Sequence, residues 1–493
     1  MPAPETSRAE EVRAAIATLR SSAANSGDVS APLTAALQKT ALLLSDAREP
    51  VALDLRRQLQ EETGLSMPMI EWGLLTSLSS MRHAPLAEIA RVVPADAPLE
   101  VIGVVLAGNV FVAAVRGLAL PLLAGACVIA KTASREGAYA RAFHAALTLA
   151  DPEIGARLAL VQFSRADTEA THALCTGVDA LSIYGSDETV EELRLVSAAR
   201  RADSACARAG LCGPLPAEGA TAEYGPLSGQ TYATVAAASG NADSPTGGAL
   251  TDARAELIQP KTHARGTAPE LAANSGTATS SVRIPRVIAH GHGLSAAYVA
   301  RSALSSEEQA ARTAERVALD ISAYDQHGCL SPHFVLVEPG GAVDPQAFAQ
   351  LLAASALPAL AHLLPAAEPT LQEQAERMQW QATAAVRGEL YAHPTHAVSF
   401  EAAPLRPSPG GRQISIYACG DYAELEALLA PFAEHLKCVG VAGSKAERAQ
   451  LTEYVQRFCS AQICRSGEMQ SPPFDTWADG APPLAGLVPD AMR

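Results

Sequence analysis

Residues 101–130, VIGVVLAGNVFVAAVRGLALPLLAGACVIA, contain one charged side chain, Arg116. So apolar a run must be hidden from water, either in a bilayer or between layers of protein. A spanning helix needs about 20 unbroken apolar residues, and Asn109, Arg116 and Pro121 interrupt this one. Its halves also differ in texture. EVIGVVL (100–106) reads as a buried strand, AGN as a turn into a helix over 110–123, and ACVIA (126–130) as a second strand ending at Lys131 after Gly125 stops the helix. ALSIY (180–184) repeats the pattern: a strand, a Gly185-Ser186 turn, then a helix with acids in its first turn. The fold class that follows is α/β, an open and mostly parallel sheet with helices on both faces.

The flanks differ from this centre. Ser7 and Glu10 form a capping box ahead of Val12, Ile16 and Leu19 on one helical face. Leu33, Leu37 and Leu44 repeat the spacing, and Ser66 with Pro68 starts a third helix that turns Ile70 and Leu74 inward. These faces need a surface to dock on, so 1–95 reads as an N-terminal helical layer. Residues 203–282 are rich in Ala, Gly, Ser and Thr and lack Phe. Such a stretch buries too little apolar surface to offset its ordering entropy, which makes it a disordered surface insertion. Order returns at 283. A helix capped by Ser305 and Glu308 runs to about 320, strands follow at 333–338, 396–400 and 413–418, and helices at 422–435 and 443–458.

Composition limits the partners. With 493 residues there is room for two or three domains. The net charge of −15 argues against nucleic acid or an anionic membrane surface, since both need a basic face. Nine cysteines lie scattered without zinc-type spacing, so no metal site is expected. No secretory signal precedes them, and reduced thiols in a cytoplasm are the simpler reading.

The most unusual cysteine is Cys329, in AYDQHGCLSPH (323–333). It sits on a glycine–proline corner, whereas a structural thiol normally lies inside an apolar run. Gly328 permits an exposed backbone N–H, and a thiolate there has the character of a nucleophile. Asn109 follows a strand where a helix begins. A carboxamide there can hold an oxyanion, although on these residues alone an ordinary N-cap is the better reading. Lys131 faces the carboxyl-end crevice of an open sheet or is simply solvated. Gly185 and Ser186 match a helix-terminal phosphate site and equally a common cap. GHGLSA (291–296) fits a dinucleotide fingerprint by letter, but the following AYVARSAL alternates like a strand, so the fingerprint is rejected. His290 and His292 carry imidazoles suited to take a thiol proton, or are ordinary surface histidines. Glu468, in GEMQSPP, is an acid in a proline-bounded loop, suited to ribose hydroxyls or to solvent.

Seven stretches, taken in order, resemble the LuxC-type acyl-CoA reductases, a branch of the aldehyde dehydrogenase superfamily. They are GLSMPMIEWGLL (64–75), AGNVFVAAVRGLALPLLAGACVIAKTAS (107–134), IYGSDETVEEL (183–193), GHGLS (291–295), YDQHGCLSPH (324–333), LKCVGVAG (436–443) and GEMQSPPFDTWADG (467–480). The resemblance implies a Rossmann-type cofactor-binding sheet over 96–290 and a second α/β catalytic domain over 291–450. A C-terminal segment, 451–493, would close the active site. It implies that Cys329 takes a fatty acyl group from acyl-CoA or an acyl-protein, and that NADPH reduces the bound thioester to a fatty aldehyde. Asn109 and the Cys329 N–H would form the oxyanion hole. Lys131, Gly185 and Ser186 would face the cofactor's ribose and phosphates, and Glu468 the nicotinamide ribose. A GHG histidine would be the base, with His292 favoured over His290. A homo-oligomer or an acyl-transferring partner enzyme also fits the resemblance.

The region 283–300 holds no Glu or Asp. A water-activating carboxylate expected there in acid-forming aldehyde dehydrogenases is therefore missing, which favours reduction. The competing readings are an oxidative aldehyde dehydrogenase and a catalytically silent scaffold that keeps the fold. The insertion, about 80 residues long, is the departure from the family pattern, and it keeps the scaffold reading alive.

Overall fold

The apolar stretch forms a strand–helix–strand unit in the computed structural model: β1 (Val101–Val105), a helix Ala113–Leu123, and β2 (Cys127–Lys131). The structure describes residues 7–24, 29–91, 93, 100–108, 110–133, 136–209, 285–402, 404–478 and 480–487. Every β1 residue is buried, as a strand covered on both faces requires. Arg116, the lone charge, spends its guanidinium on the carbonyls of Thr476, at 2.6 Å, and Pro473, at 3.5 Å. It thereby ties the C-terminal segment to this unit.

β3 (Leu158–Val161), β4 (Ala180–Tyr184) and β5 (Arg286–His290) complete a five-stranded parallel sheet in the order β3-β2-β1-β4-β5. The chain leaves β1 for β2 on one side and reaches β4 on the other. That reversal opens a crevice beyond the carboxyl ends of β1 and β4, where open sheets bind ligands. Val105 lies opposite both Lys131 and Ile183, and Tyr184 opposite His290. Lys131, the Gly185-Ser186 turn and His290 therefore share this edge.

Only Gly291, His292 and Gly293 separate β5 from β6 (Leu294–Val299). A crossover between neighbouring parallel strands needs a dozen or more residues. β6 must therefore start a second sheet, and a strand rather than a helix follows the GHG turn. The second sheet adds β7 (Pro332–Val337), β8 (Gly388–His393), β9 (His396–Glu401), β10 (Gln413–Ala418), β11 (Leu436–Ala442) and β12 (Gln462–Arg465). Its order is β12-β11-β6-β7-β10-β9-β8, parallel except for the β8–β9 hairpin. The helix Lys445–Val455 runs across residue 450, and β12 extends the sheet beyond it.

The N-terminal helices divide between the faces of the first sheet. In α1 (Arg8–Ala24), Val12, Ile16 and Leu19 pack with Val101, Ile129 and Leu181 on one face. α2 (Ser30–Ser45), α3 (Pro50–Thr63) and α4 (Met67–His83) share the other face's core with the helices Ala113–Leu123 and Ala138–Ala150. The Ser7–Glu10 capping box forms, with both bonds at 3.2 Å. Ser66 precedes α4, but its hydroxyl donates to the Pro365 carbonyl at 2.8 Å and caps nothing.

Other boundaries move for local reasons. The cap of the helix Glu307–Ser322 is Ser306, whose backbone is extended and whose hydroxyl accepts from Gln309. Ser305 has helical backbone angles and is the wrong shape for a cap. The helix expected over 422–435 ends at Leu429 before a short 3-10 turn holding Pro431. Residues 203–209, expected to be disordered, close the helix Asp187–Ala209, and 210–282 lie outside the described residues. Pro345–Leu363 is the one stretch among the described residues with the length and apolarity to cross a bilayer. Here Phe348, Leu352 and Leu357 of that stretch pack into the core beside the second sheet.

Candidate active site

Cys329 follows three consecutive non-glycine residues with positive φ: Tyr324 at 52°, Asp325 at 51° and Gln326 at 67°. Each is costly for an L-amino acid, by about 1–3 kcal/mol, and such strain persists only where the surroundings over-determine it. They do so here. The Tyr324 ring meets Phe111 edge-on at 5.9 Å and tilts against Trp72 at 5.6 Å. Asp325 forms a buried ion pair with Arg412 at 2.7 Å and accepts from the Ala367 N–H at 2.9 Å. The Gln326 amide donates to the carbonyls of Pro332 and Gln413 and to the Ser408 hydroxyl, at 2.7, 3.0 and 3.0 Å. The result is a rigid left-handed turn that delivers an exposed thiol at its end. Ser295 of β6 fixes the Cys329 carbonyl through a 2.8 Å hydrogen bond.

The segment after β1 reaches the same place. A side-chain carbon at Gly328 would stand 3.1 Å from Gln470 Oε1, 3.5 Å from Ser331 Oγ and 3.6 Å from Val110 Cγ2. Glycine thus lets three elements close around the nucleophile's neighbour. Asn109 lies outside the described residues. The residues after it, Val110 and Phe111, pack on Gly328 and Tyr324.

The two histidines diverge. His290 ends β5 with its ring stacked on Tyr184 at 4.4 Å. His292 sits exposed in the link between the sheets, its backbone N–H donating to Asp187 Oδ1 at 2.8 Å. His333, four residues past Cys329, has its pKa lowered by burial, and the His292 charge adds to that lowering. His292 therefore lies on the side of His333, in the strand β7 that follows the loop of Cys329.

On the crevice edge, burial lowers the Lys131 pKa, and its ammonium stands 5.1 Å from the Phe163 ring centroid. Ser186 is the cap of its helix: its hydroxyl accepts from the Thr189 N–H at 3.3 Å. Glu468 is exposed, 3.7 Å from Arg465, in a turn whose far end, Gln470, touches the Gly328 position.

The structure thus sets an exposed thiol at the end of a braced turn, with the post-β1 segment packed on the residue before it. The sequence matches the family described as "Acyl-CoA reductase (LuxC)" over residues 74–207 and 273–489, more than half of the chain. The chain belongs to the LuxC acyl-CoA reductase family. No curated protein sequence matches this LuxC-family chain. Among solved structures it is similar to the NAD-dependent benzaldehyde dehydrogenase from Corynebacterium glutamicum. That match has 13% identity and a TM-score of 0.59, covering 95% of this chain and 89% of that one. It is also similar to a point mutant of Thermus thermophilus 1-pyrroline-5-carboxylate dehydrogenase, at 13% identity and TM-score 0.57, covering 92% and 78%. A mutant of proline utilization A from Bradyrhizobium japonicum matches at 15% identity and TM-score 0.62. The chain spans less than half of that protein, 44%, while 98% of the chain is covered. These likenesses establish an aldehyde dehydrogenase fold with a helical N-terminal region.

Sequence reasoning missed the supports of this LuxC-family site. Asp325 and Gln326 were visible beside the cysteine, but their partners Arg412, Ser408 and Gln413 lie more than eighty residues on. Asp320 and Gln470 also went unremarked. The only available signal was a lone charge in the stretch VALDISA (317–323).

Proposed function

We propose that the protein reduces a fatty acyl thioester, from acyl-CoA or an acyl-protein, to the fatty aldehyde with NADPH, through an acyl group carried on Cys329. The observation that carries this is the contact of Val110 with the Gly328 position, because it brings the segment of Asn109 to the turn that presents the thiol. His292 takes the Cys329 proton, and the thiolate attacks the thioester carbonyl. A new C–S bond forms, the bond to CoA sulfur breaks, and the proton leaves with the CoA thiol. The Asn109 amide and the Cys329 N–H hold the oxyanion. His290 is the weaker candidate for the base, since its ring is committed to Tyr184.

The crevice suits a dinucleotide. Lys131 offers a partly desolvated cation, and the Gly185-Ser186 turn opens a long helix, whose first N–H groups favour phosphate. Glu468 would take the nicotinamide ribose hydroxyls, a role that rests on the family resemblance. Bound there, the nicotinamide supplies hydride to the acyl carbon. Cleavage of the C–S bond to Cys329 then releases aldehyde and restores the thiolate. The choice of NADPH over NADH rests on the family resemblance.

Reduction is favoured over oxidation to acid because no acidic residue is present in 283–300. Nearby Asp320 has both oxygens engaged by backbone N–H groups. The test is to supply a fatty acyl-CoA with and without NADPH. CoA release alone should accompany acylation of Cys329, and NADPH should be consumed one for one with aldehyde. Cys329→Ala should lose both. Acid formed from aldehyde without CoA would instead support the oxidative reading, and no cysteine acylation in the native protein would sink the proposal.

A further inference from the structure

Asp320 is fully buried on the helix Glu307–Ser322, nine residues before Cys329. It makes no ion pair among the described residues. Its Oδ2 accepts from the Gly467 N–H at 2.6 Å and the Ser466 hydroxyl at 3.4 Å, and its Oδ1 from the Met469 N–H at 3.0 Å. A buried carboxylate that gathers two backbone donors and a hydroxyl from one short turn is a clamp on that turn. Gly467 supplies the required φ of 90°, and its missing side chain lets Arg316 pass. Met469 fills the space that Gly440 leaves open on β11.

The clamped turn leads to the nucleophile. Gln470 follows Met469, is buried, and sets its Oε1 against Gly328. Its Nε2 has no hydrogen-bond partner among the described residues. A buried amide donor without a partner, beside the residue that precedes the reactive thiol, points to a ligand acceptor. We infer that Asp320 is a positioning residue that holds the 466–470 turn so that the Gln470 amide reaches the acyl group on Cys329 during reduction. This rests on the reading that Cys329 carries the acyl group.

The clamp depends on charge. Burial pushes the Asp320 pKa up to about 7, the three donors pull it down, and Glu468 raises it. Facing it are Glu468 on the turn, Arg316 one helical turn earlier, and Cys438 of β11, itself 3.5 Å from Cys464. A proton on Asp320 turns one acceptor oxygen into a donor, so the turn loses part of its hold.

The experiment separates the two chemical steps. Cys329 is first acylated with fatty acyl-CoA and freed of CoA, then NADPH is added and aldehyde formation is followed in a single turnover from pH 6 to 9. Acylation itself should be equal in the native protein and in Asp320→Asn, which keeps the shape of the protonated acid. Reduction in the native protein should fall as pH drops through about 7. In D320N it should be about tenfold slower at pH 8 and nearly flat with pH, since misplacing a group by a fraction of an ångström costs that much. A purely structural role predicts a lower rate that keeps the native pH limb, and that outcome, or a native rate in D320N, overturns the inference. If D320N does not fold, Gln470→Ala decides: it should slow reduction about as much and flatten the pH limb, because Asp320 then has no amide left to position, and a native rate in Q470A overturns the inference. Failure of the native protein to acylate condemns the reading of Cys329 instead.

Discussion

Arg412 and Asp325 pair inside the protein at 2.7 Å, with neither side chain more than 3% exposed. Arg412 also donates to the Leu364 carbonyl at 2.7 Å, and burial lowers its own pKa. One such pair rarely adds net stability, because desolvation offsets the attraction. Its role here is geometric: it locks the middle residue of the left-handed turn that ends in Cys329.

Removing one partner leaves the other charge buried and alone. Asp325→Ala should therefore destabilise the protein by about 3–5 kcal/mol, and Arg412→Leu by a similar amount. Denaturant unfolding measures both. The double variant should lose less than the two singles summed, since no orphaned charge remains. A simply additive double variant would show that the pair is not coupled.

The thiols should differ sharply in reactivity. Burial pushes Cys175 up to about 11 and Cys419 up to about 12, and burial also raises Cys127. The Cys438 thiol is raised by its hydrogen bond with the Cys464 thiol and by burial. Cys329 is the exposed one of the seven described cysteines. Brief iodoacetamide treatment with peptide mapping should mark Cys329 at least about tenfold faster than these four. Equal labelling of a buried cysteine would contradict the exposure described here.

His333 makes stability depend on acid. Its folded pKa lies below the ordinary 6.5, chiefly through burial, while its Nδ1 bonds the Ser408 carbonyl at 2.8 Å. Below pH 6.5 the unfolded chain binds a proton that the folded chain refuses, so stability is lost as pH falls from 6.5 toward the folded value. His333→Asn keeps a donor for Ser408 and cannot titrate. Thermal melts at about pH 7.5 and 5.5 should show a smaller acid loss in H333N than in the native protein. An unchanged difference would assign the acid sensitivity to other groups, such as His396 or His144, which burial also lowers.

How much could be read from the chain alone depended on how local each cause was. β1, β2 and β4 were legible because a strand buried on both faces reads as a near-continuous apolar run, which ALSIY keeps except at Ser182. The capping box at Ser7 was legible because its two bonds span three residues. Ser305 and Ser306 were not separable, since both letters suit a cap and only the backbone angles choose. The α3 helix, Pro50–Thr63, was missed because its few apolar positions sit among charges.

The sequence by itself determined a parallel α/β unit around residues 101–184 and set Cys329 on a glycine–proline corner, because glycine, proline and strand pattern act over a few residues. Only the tertiary structure decided what braces that corner. Arg412, Ser408 and Gln413 reach Asp325 and Gln326 from more than eighty residues away, and the Asp320 clamp takes its donors from residues 466–469. Polar partners so far apart leave no periodic signal in one chain. Burial makes each of them find an acceptor or donor, and the fold alone says which.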